Sequence, residues 1–128
     1  MKLLDTTFLI DLLRGKKETF KIINSKEPLF TTKINMYEVI KGLFLKNITK
    51  AKLVEVMDIF DNIRVLPFDD NALIKSAEIY SDLTKRGLEV HDLDCITAGI
   101  MLSKGINEIV TRNAKHFKKI KGITVENY

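Results

Sequence analysis

The sequence has few of the residues and segments that cross-link a chain or anchor it in a membrane. One cysteine, Cys95, occurs in 128 residues, which excludes an intrachain disulfide and a zinc site built from cysteines. Asp and Lys interrupt the apolar runs well short of the roughly 20 residues that a membrane-spanning helix needs. Asp5 and Asp11 fall where the apolar region of a signal peptide would lie. We therefore expect a cytoplasmic protein with no membrane segment.

The composition is that of an ordinary globular domain. Apolar residues make up 45% of the chain and charged residues 30%, and a chain of this length can bury a core without cross-links. No repeat, linker or low-complexity segment interrupts it, so we expect a single domain over residues 1–128. The net charge of +4 fits contact with nucleic acid, and solvated basic surfaces explain it equally well.

Apolar patterns predict strands that alternate with helices. Short apolar runs predict strands near residues 2–4, 28–32, 63–66, 107–111 and 123–125. Between these strands, apolar residues at helical spacing predict helices, including a nearly all-apolar helix over residues 92–103. The helix predicted over residues 34–46 is expected to turn four apolar side chains inward: Tyr37, Ile40, Leu43 and Phe44. The alternation predicts an α/β fold, with a mostly parallel sheet of four to five strands and helices on both faces.

Asp5 lies where the first buried strand ends and a helix begins. In parallel α/β sheets, ligands bind at the edge formed by the carboxyl ends of the strands. An Asp before a helix is also a good N-cap, worth about 1 kcal/mol. Thr6 or Thr7 could provide that cap instead, so we favour a metal-binding role for Asp5.

Acidic residues are expected to start two further helices near the same edge, Glu38 in one and Asp92 and Asp94 in the other. Glu38 lies three residues after Asn35, and this spacing alone slightly favours a capping box over a functional role. Asp92 and Asp94 would point about 200° apart on a helix, so they cannot both face one ion. We predict Asp94 as the ligand, because it shares a helix face with Thr97, Ala98 and Met101, where the small Ala98 permits close packing. Asp92 fits better as the helix cap and is the second choice.

Polar residues also follow the fourth predicted strand. Thr111 and Asn113 come directly after an apolar run, as Asp5 does after the first strand. Either side chain could contact a metal ion or its water. For Asn113 alone, a turn with an Asn cap is an equally good explanation.

Four segments hold most of the functional information in the sequence. They are Leu4-Asp5-Thr6-Thr7-Phe8-Leu9-Ile10, Tyr37-Glu38-Val39-Ile40-Lys41-Gly42, Asp94-x-x-Thr97-Ala98-Gly99 and Val110-Thr111-Arg112-Asn113-x-x-His116-Phe117. Each is weak evidence alone, but together, in this order and spacing, they are specific. They resemble the successive signatures of PIN-domain ribonucleases. Within that family the chain is most similar to the small single-domain toxins of the VapC type.

The resemblance implies a three-layer α/β/α fold and an Mg²⁺- or Mn²⁺-dependent endoribonuclease that hydrolyses RNA phosphodiester bonds. Asp5, Glu38 and Asp94 match the acidic metal ligands of the family. The fourth acidic position of many members falls at Asn113 or His116, and neither is acidic. The chain therefore lacks an expected ligand of a second metal ion. Asn35 also stands where a Thr is usual before the Glu.

The ribonuclease interpretation assigns supporting roles to neighbouring residues. Thr6 or Thr111 would orient the attacking water or the phosphate. Basic side chains at the rim would attract RNA through phosphate contacts; the candidates are Arg14, Lys16 and Arg112.

The resemblance also implies partners. The chain would be the toxin half of a toxin–antitoxin pair, would form a homodimer, and would be silenced by a small antitoxin protein covering the acidic cleft. The missing fourth acid favours a second interpretation, a non-catalytic PIN-like protein that binds RNA or acts as a scaffold. A phosphatase-type hydrolase is disfavoured, because Asp5 is followed by Thr6 and Thr7 and not by an Asp-x-Asp pair.

Overall fold

The computed structural model describes the whole chain, residues 1–128, as strands alternating with helices. The strands are β1 Lys2–Leu4, β2 Leu29–Thr32, β3 Arg64–Leu66, β4 Glu108–Val110 and β5 Thr124–Glu126. The helices are α1 Thr6–Leu13, α2 Phe20–Ile23, α3 Lys33–Leu45, α4 Lys50–Asp61, α5 Asp70–Lys85, α6 Asp92–Ser103 and α7 Ala114–Lys118, with a 3₁₀ turn at Lys17–Thr19. None of the helices combines the length and the apolarity needed to cross a membrane.

All five strands form one parallel sheet in the order β3-β2-β1-β4-β5. The central strand β1 pairs with β2 on one side and with β4 on the other, so Leu3 lies opposite both Phe30 and Ile109. The chain runs outward from β1 to β3 and then returns past β1 to reach β4. This reversal leaves a crevice at the carboxyl ends of β1 and β4, where ligands bind in such sheets.

Alternate residues of the central strands point to opposite faces of the sheet. Leu3 and Ile109 belong to a core shared with α5, α6 and α7, whereas Leu4 and Val110 belong to a core shared with α1, α2, α3 and α4. All four side chains are fully buried. Burial on both faces explains why β1 and β4 each have two consecutive apolar residues, Leu3-Leu4 and Ile109-Val110. The predicted α/β architecture, with helices on both faces, is confirmed.

The inward face predicted for α3 is wrong at Tyr37 and Phe44, whereas Leu43 packs against the core and Ile40 is half-buried. Tyr37 and Phe44 are 56% and 58% exposed, and the fully buried positions are Asn35 and Val39. Apolar residues occur on every side of this helix, so their spacing does not define one face. The buried side is set by a polar residue, Asn35, which the apolar pattern ignores.

The predicted helix caps also differ from the structure. The side chain of Thr32 caps α3 and accepts hydrogen bonds from the backbone N–H groups of Ile34 and Asn35, both at 3.1 Å. Glu38 therefore lies in the second turn and forms no capping box. His91 occupies the N-cap position of α6, so Asp92 is not the cap. At the start of α7, Asn113 makes no side-chain capping bond.

The last residue of the sequence, Tyr128, packs against α1. The ring of Tyr128 contacts that of Phe8 edge-to-face, with ring centroids 5.0 Å apart. Its hydroxyl donates to Asp11 Oδ2 at 2.6 Å. Asp11, which is 1% exposed, also pairs with Arg112 Nε at 2.8 Å and with Lys16 Nζ at 3.3 Å. Burial would raise the pKa of Asp11, but these hydrogen bonds and positive charges outweigh it and hold the pKa below its usual value.

We expect Asp11→Asn to lower the free energy of unfolding by about 1–3 kcal/mol at neutral pH, because Arg112 and Lys16 lose their charge partner. The pKa of Asp11 is lowered by folding, so its stabilisation is present above the unfolded-state pKa and is lost as the pH falls. Urea unfolding of both proteins at neutral pH and near pH 3 measures the effect. An equal difference at the two pH values would contradict a charge-based role.

Helices α5 and α6 lie in close contact at Gly99. A Cβ atom at this position would lie 2.7 Å from the backbone nitrogen and 2.8 Å from the Cα of Ser76. Backbone cannot move aside as a flexible side chain can, so α5 and α6 would have to separate.

We expect Gly99→Ala to lower the free energy of unfolding by about 1–3 kcal/mol through this overpacking. Gly42→Ala is the matched control, since a Cβ at this helical position has no neighbour within 4 Å. That variant should gain up to about 1 kcal/mol from improved helix propensity. Denaturant melts of both variants check the contrast, and equal effects would contradict the contact.

Candidate active site

Asp5 is held at the carboxyl end of β1 by hydrogen bonds from two other elements. Its side chain is 3% exposed and makes no capping bond to α1. Asn35 Nδ2 donates to Oδ1 at 3.1 Å, and Thr111 Oγ1 donates to Oδ2 at 2.6 Å. The carboxylate is therefore held mainly by partners outside α1, which disfavours the capping explanation.

A chain of polar side chains connects Asp5 to Glu38. Thr32 Oγ1 donates to Asn35 Oδ1 at 2.7 Å, and Asn35 Nδ2 donates to Thr6 Oγ1 at 3.0 Å. Thr6 Oγ1 in turn donates to Glu38 Oε1 at 2.9 Å. The buried amide of Asn35 thus orients both carboxylates, one directly and one through Thr6.

Asp94 completes the group from the first turn of α6. Burial raises the pKa of Asp5 from 3.8 to about 6; the bond from Thr111 opposes this rise, and the negative charges of Asp94 and Glu38 add to it. Burial also raises the pKa of Glu38, against the bond from Thr6, and the charge of Asp94 adds to that rise. The fold therefore brings together the three carboxylates that the sequence predicts.

The donor set fits a hard divalent cation. Asp5 and Glu38 form no ion pair with a basic side chain, and the one ion-pair partner of Asp94 is His116. Lys41 acts on Glu38 only as a distant positive charge. Mg²⁺ prefers carboxylate oxygens and usually keeps several waters, so few protein ligands are needed. A cation at this position would offset repulsion that nearby lysines and arginines leave uncompensated.

Of the two second-choice residues, Asp92 lies away from this group and Asn113 adjoins it. Asp92 is exposed and lines a surface groove between α5 and α6 with Leu73 and Tyr80. Asn113 contributes its backbone N–H, which donates to Thr111 Oγ1 at 2.9 Å. That bond fixes the hydroxyl of Thr111, which then donates to Asp5.

Both histidines of the chain adjoin the acidic group, and sequence reasoning gave neither a role. His116 Nδ1 lies 2.7 Å from Asp94 Oδ2. The ring of His91 stacks on that of His116, with centroids 4.1 Å apart and planes 18° from parallel. The one available signal was their location, since His91 directly precedes α6 and His116 follows Asn113 within the last family motif.

Two of the three predicted RNA-binding cations are tied to the same acidic residue. Arg112 and Lys16 both pair with buried Asp11, although Arg112 remains 50% exposed. Arg14 is exposed and lines a groove between α1 and α3 together with Lys46 and Lys52. Arg112 and Lys16 are thus held by Asp11, whereas Arg14 lines an open groove.

The sequence is similar to known proteins along almost its whole length. A family model described as "PIN domain" matches residues 2–123. The tRNA(fMet)-specific endonuclease VapC of Salmonella typhimurium is 28% identical over 130 residues, which cover 98% of this chain and 96% of that protein. Ribonuclease VapC1 of Methanocaldococcus jannaschii is 27% identical over 127 residues, covering 98% of this chain and 85% of that protein.

Solved structures share the fold along nearly the whole chain. The DNA-bound VapBC structure from Salmonella typhimurium matches with a TM-score of 0.84 and 28% identity, covering 98% of this chain and 96% of that chain. VapBC2 from Rickettsia felis, bound to a promoter DNA fragment, matches with a TM-score of 0.86 at 19% identity, covering 99% and 98%. At that identity the second likeness concerns the fold alone. Because the family model spans residues 2–123, the predicted resemblance is confirmed and the chain belongs to the PIN domain family.

Proposed function

We propose that this protein is a metal-dependent endoribonuclease that hydrolyses RNA phosphodiester bonds, and that it is the toxin of a VapBC-type toxin–antitoxin pair. One observation carries the proposal: Asp5, Glu38 and Asp94 converge from three elements of a PIN-family chain, without lysine or arginine partners. Similarity to a VapC endonuclease and to a VapC ribonuclease supports the choice of reaction.

Asp5, Glu38 and Asp94 would hold the ion, and the all-oxygen donor set favours Mg²⁺ or Mn²⁺. When bound, such an ion would activate water as a nucleophile and neutralise the charge that develops on the phosphate. These three carboxylates are the proposed catalytic and metal-binding residues.

The neighbouring polar residues are positioning residues in this scheme. The hydroxyl of Thr6 donates to Glu38 and accepts from Asn35. The hydroxyl of Thr111 donates to Asp5 and accepts from the N–H of Asn113. Both hydroxyls are therefore committed to protein partners, and their function is to orient carboxylates. Direct orientation of water or phosphate by Thr6 or Thr111 is not needed.

RNA would approach along the basic rim. Arg112 contacts Asp11 through Nε and is 50% exposed, so its guanidinium is accessible to a phosphate while it stays fixed by Asp11. Arg14 and Lys46 line the neighbouring groove and extend positive charge away from the carboxylates. Phosphate contacts of this kind provide affinity without sequence preference. Action on cellular RNA would take place in the cytoplasm.

The exposed apolar residues of α3 support a protein partner. Phe44 and Leu45 are 58% and 78% exposed, and together with Tyr37, Met36 and Ile40 they line one surface depression. Exposed apolar surface of this kind marks interaction sites. We propose that a small antitoxin protein and a second copy of the chain, in a homodimer, are the partners that cover apolar surface.

The activity test uses the isolated protein, free of antitoxin, with tRNA as the first substrate because a relative carries that specificity in its name. We expect cleavage with Mg²⁺ or Mn²⁺ and none with a chelator. Glu38→Gln and Asp94→Asn should each reduce the rate by about 100-fold or more, since each removes a metal ligand. Gel analysis of end-labelled tRNA measures cleavage.

Asp92→Asn is the matched control, because Asp92 is exposed and lies two residues from Asp94. It should cleave at the wild-type rate. RNA binding without metal-dependent cleavage would overturn the proposal in favour of a non-catalytic RNA-binding protein.

A second test needs no substrate. We expect Asp5→Asn to raise the metal-free free energy of unfolding by about 1–3 kcal/mol near pH 7.5, because a buried negative charge is removed. An amide can keep both hydrogen bonds: its oxygen accepts from Asn35 and its nitrogen can donate to the hydroxyl of Thr111. The variant should also lose stabilisation by Mg²⁺.

The pH dependence has a defined sign. Folding raises the pKa of Asp5 from 3.8 to about 6, so the metal-free wild type loses stability as the pH rises through that interval. The advantage of Asp5→Asn should therefore shrink as the pH falls from 6 towards 4. Thermal melts with and without Mg²⁺ check this. A less stable variant that still responds to Mg²⁺ would make Asp5 a structural residue.

A further inference from the structure

The two histidines of this chain and Asp94 form a compact set of potential metal ligands. One ligand atom from each of His91, Asp94 and His116 lies within 4.8 Å of the other two. All three residues are half-buried. No other histidine occurs in the chain, so every imidazole of the protein is in this cluster.

We propose that His91, Asp94 and His116 form a second metal site, which binds a borderline divalent transition-metal ion of the Zn²⁺ class. The site shares Asp94 with the carboxylate group described above, and its existence does not require nuclease activity. It would lie where the family resemblance leads one to expect a fourth acid.

The donor chemistry separates the two sites. Mg²⁺ takes oxygen ligands and seldom imidazole, whereas Zn²⁺, Co²⁺ and Ni²⁺ bind imidazole well. Two histidines and one carboxylate are a ligand set of known zinc sites that keep a fourth position open. The cluster is therefore matched to a softer ion than the set of Asp5, Glu38 and Asp94.

The ligand atoms are already close together, and binding one ion would require the stacked rings of His91 and His116 to rotate until both ring planes contain it. Ligand atoms bound tetrahedrally at about 2 Å from zinc lie roughly 3.3 Å from one another. The His116 Nδ1 to Asp94 Oδ2 distance is 2.7 Å, and the whole set spans up to 4.8 Å. An ion entering the cluster would replace the hydrogen bond between His116 and Asp94 and draw His91 inward.

One nitrogen of His91 lacks a partner. Its Nε2 atom is buried and makes no hydrogen bond, and Glu89 Oε1 lies 3.4 Å away without hydrogen-bonding geometry. Leaving a buried polar atom unsatisfied is costly. A cation bound beside His91 would recruit one ring nitrogen as a ligand and strengthen the contact of the ring with Glu89, as carboxylates do for metal-bound histidines.

The test is a Zn²⁺ titration of the full chain, free of histidine tags and previously stripped of metal. Nuclear magnetic resonance of the imidazole groups follows binding, and the presence of two histidines makes the signals assignable from single variants. We expect the signals of both imidazoles to shift together and to saturate with one equivalent of Zn²⁺. Signals that stay unmoved while zinc binds elsewhere would overturn the proposal.

His91→Phe and His116→Phe remove the ligand nitrogens while keeping an aromatic ring for the stacked pair. Each should weaken Zn²⁺ binding, measured by calorimetry, by about tenfold or more. Asp92→Asn, adjacent to His91, is the control and should bind as the wild type does. Wild-type affinity in both Phe variants would contradict the site, and the wild-type spectra decide the matter if a variant does not fold.

The same variants distinguish this proposal from the nuclease proposal. His91→Phe should still be stabilised by Mg²⁺, because Asp5, Glu38 and Asp94 are intact. Zinc binding without RNA cleavage would support the histidine site and refute the nuclease. RNA cleavage by a protein whose imidazole signals do not respond to zinc would support the nuclease and refute the histidine site.

Discussion

The rest of the candidate site depends on the burial of the Asp5 carboxylate at the end of the central strand. Burial raises its pKa to about 6, so near neutral pH the ionised form is retained against a considerable desolvation cost. Hydrogen bonds from Asn35 and Thr111 offset part of that cost. These two donors come from opposite neighbours of β1, namely the helix after β2 and the loop after β4. The pairing of β1 with both strands is what allows a single carboxylate to be held from two sides.

The burial of negative charge also explains why metal binding and stability favour different residues at the carboxyl edge of the sheet. Two carboxylates about 4 Å apart repel by roughly 4 kcal/mol at an effective dielectric near 20. A chain selected for stability alone would place a lysine among Asp5, Glu38 and Asp94, or replace one of them. It instead surrounds them with neutral donors such as Thr6, Asn35 and Thr111. Neutral donors fix the geometry of the carboxylates while leaving their charge available to a cation.

The order and type of the elements could be predicted from the sequence because each is specified locally. The apolar helix at residues 92–103 and the strands on either side of it follow from spacing and length alone. The location of Asp5, Glu38 and Asp94 near one edge followed from the rule for parallel sheets. The buried side of α3 could not be predicted, because it depends on the amide of Asn35 reaching across to Asp5 and Thr6. The cap at Thr32 was missed for a related reason, since the capping pattern was applied to Asn35 three residues later.

The stacked histidines were beyond sequence reasoning, because they are 25 residues apart and meet only through the packing of α6 against α7. His116 is one of the two positions where many family members have a fourth acid, and its contact with Asp94 shows what the absence of that acid changes. An acid at His116 would add a fourth negative charge beside Asp94, whereas an imidazole adds no negative charge and still contacts the carboxylate through Nδ1. The substitution therefore relieves repulsion in the metal-free protein without leaving Asp94 unpartnered. It also changes the donor set around Asp94 from oxygen alone to oxygen and nitrogen, which alters the class of ion that this side of the site favours.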